Sequence, residues 1–295
     1  MASKKKVEID EDYNYWIGQI SAYEREFKKW EGRVKKITKR YRDDSRSGNN
    51  GSSSKFNILW SNVQTLSAAT FSKLPKPDVS RRFKDNDPVG RVASLILERA
   101  LEYEIQKYTD YGSTMKSSID DRFLGGRGTS WVRYEPHFRA VEQQLPTDGD
   151  QITEDIDEPQ EELDYECSPS DYVHWNDFGH TIARTWEEVT GVWRVVYLTR
   201  DQCEERFGEE VGSKIPLDSR PDSSKGDKNV DPDDPKLRAK IYEIWCKPDK
   251  EALWLSQSLG EILDRKDDPL ELDEFFPCPR PLYSTITNDS LEPVP

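Results

Sequence analysis

Residues 125–134 read GGRGTSWVRY, and they divide the chain into two kinds of sequence. Before them, apolar residues recur at steps of three and four. After them come short runs of aromatic and β-branched residues. A pair of glycines that closes a helix and opens a strand-like run is a helix-to-strand junction. The chain therefore reads as an α+β protein: N-terminal helices, then a mostly antiparallel β-rich region. Its segments are residues 1–54, an amphipathic helix and a linker; 55–127, a helical part; and 128–295, the β-rich part.

Working back from the junction, a helix is expected near Ser113–Leu124, with Met115, Ile119 and Phe123 on its apolar side. Asp87-Pro88 has the form of an N-cap followed by proline at the first helical position. The helix it opens carries Val92, Leu95, Ile96, Ala100 and Ile105. Another helix over Lys55–Lys73 would turn Phe56, Leu59, Trp60, Val63 and Leu66 inward, and it stops before Pro75 and Pro77. The first helix has the clearest pattern. Trp16, Ile20, Tyr23, Phe27, Trp30, Val34, Ile37 and Tyr41 alternate at steps of four and three, one continuous seam at coiled-coil spacing. Arg25, Lys28, Lys29, Lys35, Lys36, Lys39 and Arg40 lie opposite it. Such a seam serves either to pack on its own domain or to dock against a neighbouring subunit or partner. These eight residues are the candidate contact set. A Ser/Gly/Asn-rich linker follows at 43–54.

Downstream of the junction, strands are expected over Ser130–Val141, Leu163–Trp175 and Trp186–Leu198. Thr199-Arg-Asp-Gln202 matches a capping box for a short helix ending at Gly208. Residues 209–236 read as a mobile loop. Ala239–Cys246 and Ala252–Ser256 form a hairpin around Lys247–Lys250. The last residues, from Phe275, fall into neither helix nor strand, as though a longer protein were cut there.

Charge constrains partners. The chain has 295 residues and a net charge of −14. Residues 1–46 hold 13 Lys and Arg against 9 Asp and Glu, a net of +4 that leaves −18 for the rest. From Asp148 to Glu166 there are ten acids and no base, which reads as a solvated acidic loop. This balance argues against a broad duplex-binding face, which needs clustered Lys and Arg. Arg81-Arg82-Phe83-Lys84 is the one local basic cluster in the body of the chain. Four widely spaced cysteines, Cys167, Cys203, Cys246 and Cys278, point to reduced thiols rather than a disulfide scaffold. No signal-peptide pattern and no apolar run of about 20 residues is present.

Catalytic patterns are sparse. His137, His174 and His180 lack zinc-binding spacing. Gly125-Gly126-Arg127-Gly128 lacks the lysine and hydroxyl of a phosphate-binding loop. The acids at 231–234 and 264–268 lack calcium-loop spacing, and scattered carboxylates leave a metal-dependent phosphodiesterase as the enzyme alternative. The expectation is no enzyme, no catalytic residue, no metal and no cofactor.

Taken in order, Lys76-Pro-Asp-Val79 with Arg81–Asp85, Asp87-Pro-Val89, Gly126–Tyr134, Ser168-Pro-Ser-Asp-Tyr-Val-His-Trp175, Leu198–Arg200 with Arg206-Phe-Gly208, and Phe275–Leu282 resemble the portal proteins of short-tailed bacteriophages. The resemblance spans Lys55–Pro295, and its specificity lies in the order of the pieces. It implies a wing-like portion of a portal, the head-to-tail connector. Portals are dodecameric homo-oligomeric rings at one vertex of the virion, made in the bacterial host cytoplasm. Double-stranded DNA passes through the ring, which meets capsid, scaffolding, tail adaptor and terminase proteins and no membrane. The family continues into channel-lining helices beyond the matched region, so channel residues do not transfer to this chain. A capsid-associated adaptor that is not a portal is the alternative.

Overall fold

The computed structural model describes residues 2–43, 56–81, 87–108, 110–140, 161–221, 234–283, 285 and 289–295. The chain is α+β. It forms two compact units that interleave in sequence: residues 1–72, 115–131 and 172–295 make one, and residues 73–114 and 132–171 the other. The consecutive segments expected from sequence are regrouped because the chain leaves the first unit and returns to it twice.

The first unit is built on a five-stranded antiparallel sheet in the order β5-β6-β7-β8-β9. Its strands are β5 (Phe178–His180), β6 (Gly191–Leu198), β7 (Ala239–Cys246), β8 (Glu251–Ser256) and β9 (Glu261–Asp267). The expected hairpin is present, with Ile244 opposite Leu253 and Trp245 opposite Ala252. Side chains alternate across a strand, so β7 feeds both faces. Tyr242, Ile244 and Cys246 join one core, and Trp245 joins another.

Helices α1 (Ala2–Glu26) and α2 (Lys28–Arg42) cover the first face. The helix breaks at Phe27, whose φ of −85° and ψ of 0° leave the helical well. Hydrogen bonds from Phe27 N to Tyr23 O and from Glu31 N to Phe27 O bridge the break, both at 2.9 Å. The apolar seam therefore runs on unbroken. The chain's tail covers the second face: Phe275, Phe276, Cys278 and Leu291 pack with Trp131, Trp186 and Trp245. The tail is not free of regular structure. Strand β10 (Leu282–Tyr283) pairs with β1 (Arg127–Val132), and β4 (Ser170–Val173) lies on the other side of β1. A third cluster, Cys203, Ile215, Ala239 and Ile241, sits beneath α6 (Arg200–Phe207). Thr199 and Gln202 form the capping box, and Gly208 ends the helix at φ +81°.

Other expectations shift. The third strand begins at Gly191, because Trp186–Glu188 forms a 3-10 turn. Within 209–236, Glu209–Gly212 is a short helix, α7, and Ser219 bridges Arg238. Residues 222–233 lie outside the described residues.

The second unit holds α4 (Pro88–Tyr103), a π-helical turn (Glu104–Tyr108) and most of the hairpin of β2 (Glu135–Ala140) and β3 (Glu161–Cys167). Asp87 caps α4 as expected, accepting from Val89 N at 3.0 Å. The acidic run expected as loop is in part strand, since 161–166 belong to β3; its residues 148–160 lie outside the described ones. Arg139 pairs with Glu162 at 3.0 Å, and His137 stacks on Tyr165. Helices α3 (Ile58–Thr70), in the first unit, and α5 (Tyr111–Gly125) complete the set.

Candidate functional site

The eight candidate contact residues are placed by the fold of their own chain. Trp16, Ile20, Tyr23, Phe27, Trp30 and Val34 are buried against the five-stranded sheet. Tyr41 is half-buried and held by α3: its carbonyl accepts from Asn57 Nδ2 at 2.9 Å and its hydroxyl from Gln64 Nε2 at 2.7 Å. Ile37 is half-buried in a groove beside α3. The seam thus packs on its own domain, and its six buried members have no surface left for a partner.

At the centre of this packing lies Arg127, fully buried. It donates to Tyr23 Oη at 2.8 Å, Trp175 O at 2.9 Å and Phe178 O at 3.0 Å, and its guanidinium lies over the rings of Trp30 and Phe178. No carboxylate comes within ion-pair distance among the described residues. Trp30 Nε1 adds a bond to Gly125 O at 2.8 Å. The glycines around Arg127 are required by close approach. A Cβ on Gly128 would sit 1.9 Å from Ser118 O, and Gly126 adopts φ +79° beside the Val294 backbone. The Gly-Gly-Arg-Gly run is a structural junction.

The titratable groups around it serve the framework. His180 is buried among Tyr23, Phe27 and Phe178, its Nδ1 2.9 Å from Thr181 O. Burial, with the Arg127 cation nearby, pushes it down to about 3. Asp121 accepts from Tyr172 Oη at 2.6 Å and Trp175 N at 3.1 Å. Burial outweighs those bonds and raises it to about 7. Glu243, also buried, accepts from Trp131 Nε1 at 3.2 Å, Trp245 Nε1 at 3.0 Å and Arg194 Nε at 2.7 Å. All four cysteines are buried free thiols, and burial raises each of them. Among the described residues no cluster of three His, Cys, Asp or Glu is arranged to hold a metal. Asp264 pairs with Arg206 and Asp234 with Arg220. Arg81 pairs with Asp87; the rest of its basic cluster lies outside the described residues.

Surface chemistry is concentrated on three helices. Helix α2 carries eight Lys and Arg against Glu31 alone. At its C-terminal end Lys36, Lys39 and Arg40 rim a groove of about 940 Å³ floored by Ile37, Ile58 and Leu59. Helix α3 contains no charged residue. Of the residues expected to turn inward, Val63 does, beside the polar Ser67, but Phe56, Trp60 and Leu66 face solvent. Helix α4 is inverted more completely. Gly90, Ser94, Glu98 and Glu102, four apart, form its half-buried stripe. Glu98 accepts from Val79 N at 3.4 Å. The apolar residues Val89, Val92, Leu95, Ile96, Leu97, Leu101 and Tyr103 point outward, with Val89 73% and Ile96 63% exposed. Among the described residues of the second unit, Cys167 and Pro169 are the buried apolar side chains. No protein-family model matches the chain, and no curated protein matches it. No described helix is long and apolar enough to cross a membrane.

Proposed function

We propose that the chain is a structural subunit of a bacteriophage portal ring, serving assembly rather than chemistry. One observation carries the assembly part of this reading: α4 and α3 turn large apolar side chains to solvent in a chain that is otherwise 34% charged. Contiguous exposed apolar surface marks a face that another protein covers. The identification as a portal rests on the ordered sequence segments. The fold gives those segments framework work: Asp87-Pro88 caps α4, Gly126–Val132 forms the buried junction, and Phe275, Phe276 and Cys278 close the second core.

In this reading the ring acts passively, as a conduit that a separate motor drives DNA through. The net charge of −14 suits that role, because an acidic wall lets phosphate pass without holding it. The test is mass photometry of the purified chain across concentration. The reading predicts a concentration-dependent shift from about one chain mass toward a closed multimer. A single species at the monomer mass throughout would overturn it.

A further inference from the structure

We infer that the groove between α2 and α3 is a docking site for an acidic, amphipathic peptide segment of a partner protein. The inference goes beyond the ring reading and does not rest on it, because the groove lies within the first unit of a single chain.

The cations at the rim are not paired off inside the chain. Helix α2 carries eight Lys and Arg against one acid, in a protein whose net charge is −14. Arg33 on this helix pairs with Glu292. Lys36, Lys39 and Arg40 are exposed and form no ion pair among the described residues. They stand three and four residues apart, so they share one edge of the helix and repel one another. Asp43 is the single acid in the lining; three bases less one acid leave the groove at +2. Carboxylates brought from outside relieve that repulsion.

The floor asks for apolar side chains. Ile37 continues the seam that is buried further up the helix, and here it lines open space with Ile58 and Leu59. Phe56 is 71% and Ile58 64% exposed. The polar groups divide in a way that suits a peptide. Asn57 is committed to the fold: its Nδ2 donates to Tyr41 O at 2.9 Å and its Oδ1 accepts from Trp60 N at 3.1 Å. Asn62 is exposed and makes no hydrogen bond among the described residues, which leaves its amide for a peptide backbone. The volume of about 940 Å³ lies within the ~300–1,000 Å³ of ligand sites. Apolar anchors spaced three and four apart on a short helix fill such grooves.

Phosphate also meets such cations, and the floor decides between the two ligands. Single-stranded nucleic acid stacks its bases on aromatic rings along a basic track. Here Phe56 is the one aromatic residue in the lining, and the floor is aliphatic. Duplex binding draws on many phosphate contacts, and three cations with Asp43 beside them supply few. An acidic peptide uses both parts of the groove, with carboxylates at the rim and aliphatic anchors on the floor.

The test is fluorescence anisotropy of the full chain with labelled peptides. The first probe is a helical peptide of about 15 residues, with Glu on one face and Leu at steps of three and four on the other. It should bind with micromolar affinity. Replacing its Glu by Gln, or its Leu by Ser, should each weaken binding at least tenfold. In the chain, Lys36→Gln combined with Arg40→Gln should cause the same loss for the Glu peptide and none for the Gln peptide. Ile58→Ser should weaken the Leu peptide and leave the Ser peptide unchanged. All three positions are exposed, so circular dichroism should not change. No saturable binding of the first probe, or binding that survives the loss of both cations, would overturn the inference. So would equal binding of an all-Glu peptide, which marks bare charge attraction, or tighter binding of a single-stranded oligonucleotide, which marks a nucleic-acid site. Each of these results leaves the ring reading as it stands. A chain that binds the peptide yet stays monomeric at every concentration would overturn the ring reading alone.

Discussion

Replacing Arg127 with alanine should loosen the first unit by about 3 kcal/mol. The residue is fully buried and makes three hydrogen bonds at 2.8, 2.9 and 3.0 Å. Hydrogen bonds to a charged group contribute about 1.5 kcal/mol each at the low end, ~4.5 in sum. Two lost methylenes add ~1.6 kcal/mol at about 0.8 each. Against this stands relief from burying a cation with no carboxylate beside it, a penalty of several kcal/mol, here set at ~3. Of a typical total of about 5–15 kcal/mol, the net loss is large. Arg127→Met keeps most of the packing and removes the charge, so it should cost less, about 1 kcal/mol. Urea unfolding followed by tryptophan fluorescence is the right assay, because all nine tryptophans lie in the first unit. With a slope of ~2 kcal/mol/M, the midpoint should fall by about 1.5 M for alanine. A shift under about 0.3 M for alanine would refute the claim that Arg127 locks α1 to the junction.

Three further outcomes are expected. His180 is held below its unfolded value, so its contribution is complete above about pH 6.5 and is lost as pH falls toward 3. Asp121 is held above its unfolded value, so its contribution is complete below about pH 4 and is lost as pH rises toward 7. Between pH 4 and 6.5 the two slopes oppose, each about 1.4 kcal/mol per pH unit. The part of stability they control should be nearly flat there in the parent and should rise with pH in Asp121→Asn; urea midpoints over that range decide it, and parallel profiles would refute it. Thr199→Ala removes the capping box of α6 and should cost about 1 kcal/mol by the same unfolding assay. Glu243→Gln weakens the bond to Arg194, leaves the two indole donors an acceptor and should cost about 2 kcal/mol, whereas Glu243→Ala should cost more.

Much of the fold was legible where its signals are local. The alternating seam from Trp16 to Val34, the hairpin around Lys247–Lys250, the Asp87-Pro88 start and the Thr199–Gln202 box each follow from short-range periodicity or capping chemistry. Burial was less legible. Periodicity finds an apolar stripe but does not say what lies against it. It turned Phe56, Trp60 and Leu66 inward with Val63, whereas only Val63 of these is buried, beside the polar Ser67. The same limit applies to α5, where Thr114, Asp121 and Leu124 are buried and Met115, Ile119 and Phe123 are half-buried. Arg127 was hidden for a further reason. A basic residue between glycines reads as a surface turn, and its acceptors are a hydroxyl and carbonyls brought from 48 to 104 residues away. The inverted polarity of α4 depends on which side meets the chain, information that no helical repeat contains.

Negative-stain electron microscopy of the concentrated protein tests the central claim most directly. The account predicts ring-shaped particles with a central hole, lost in Ile96→Glu while that variant stays folded. Compact single-chain particles at every concentration, from parent and variant alike, would contradict it.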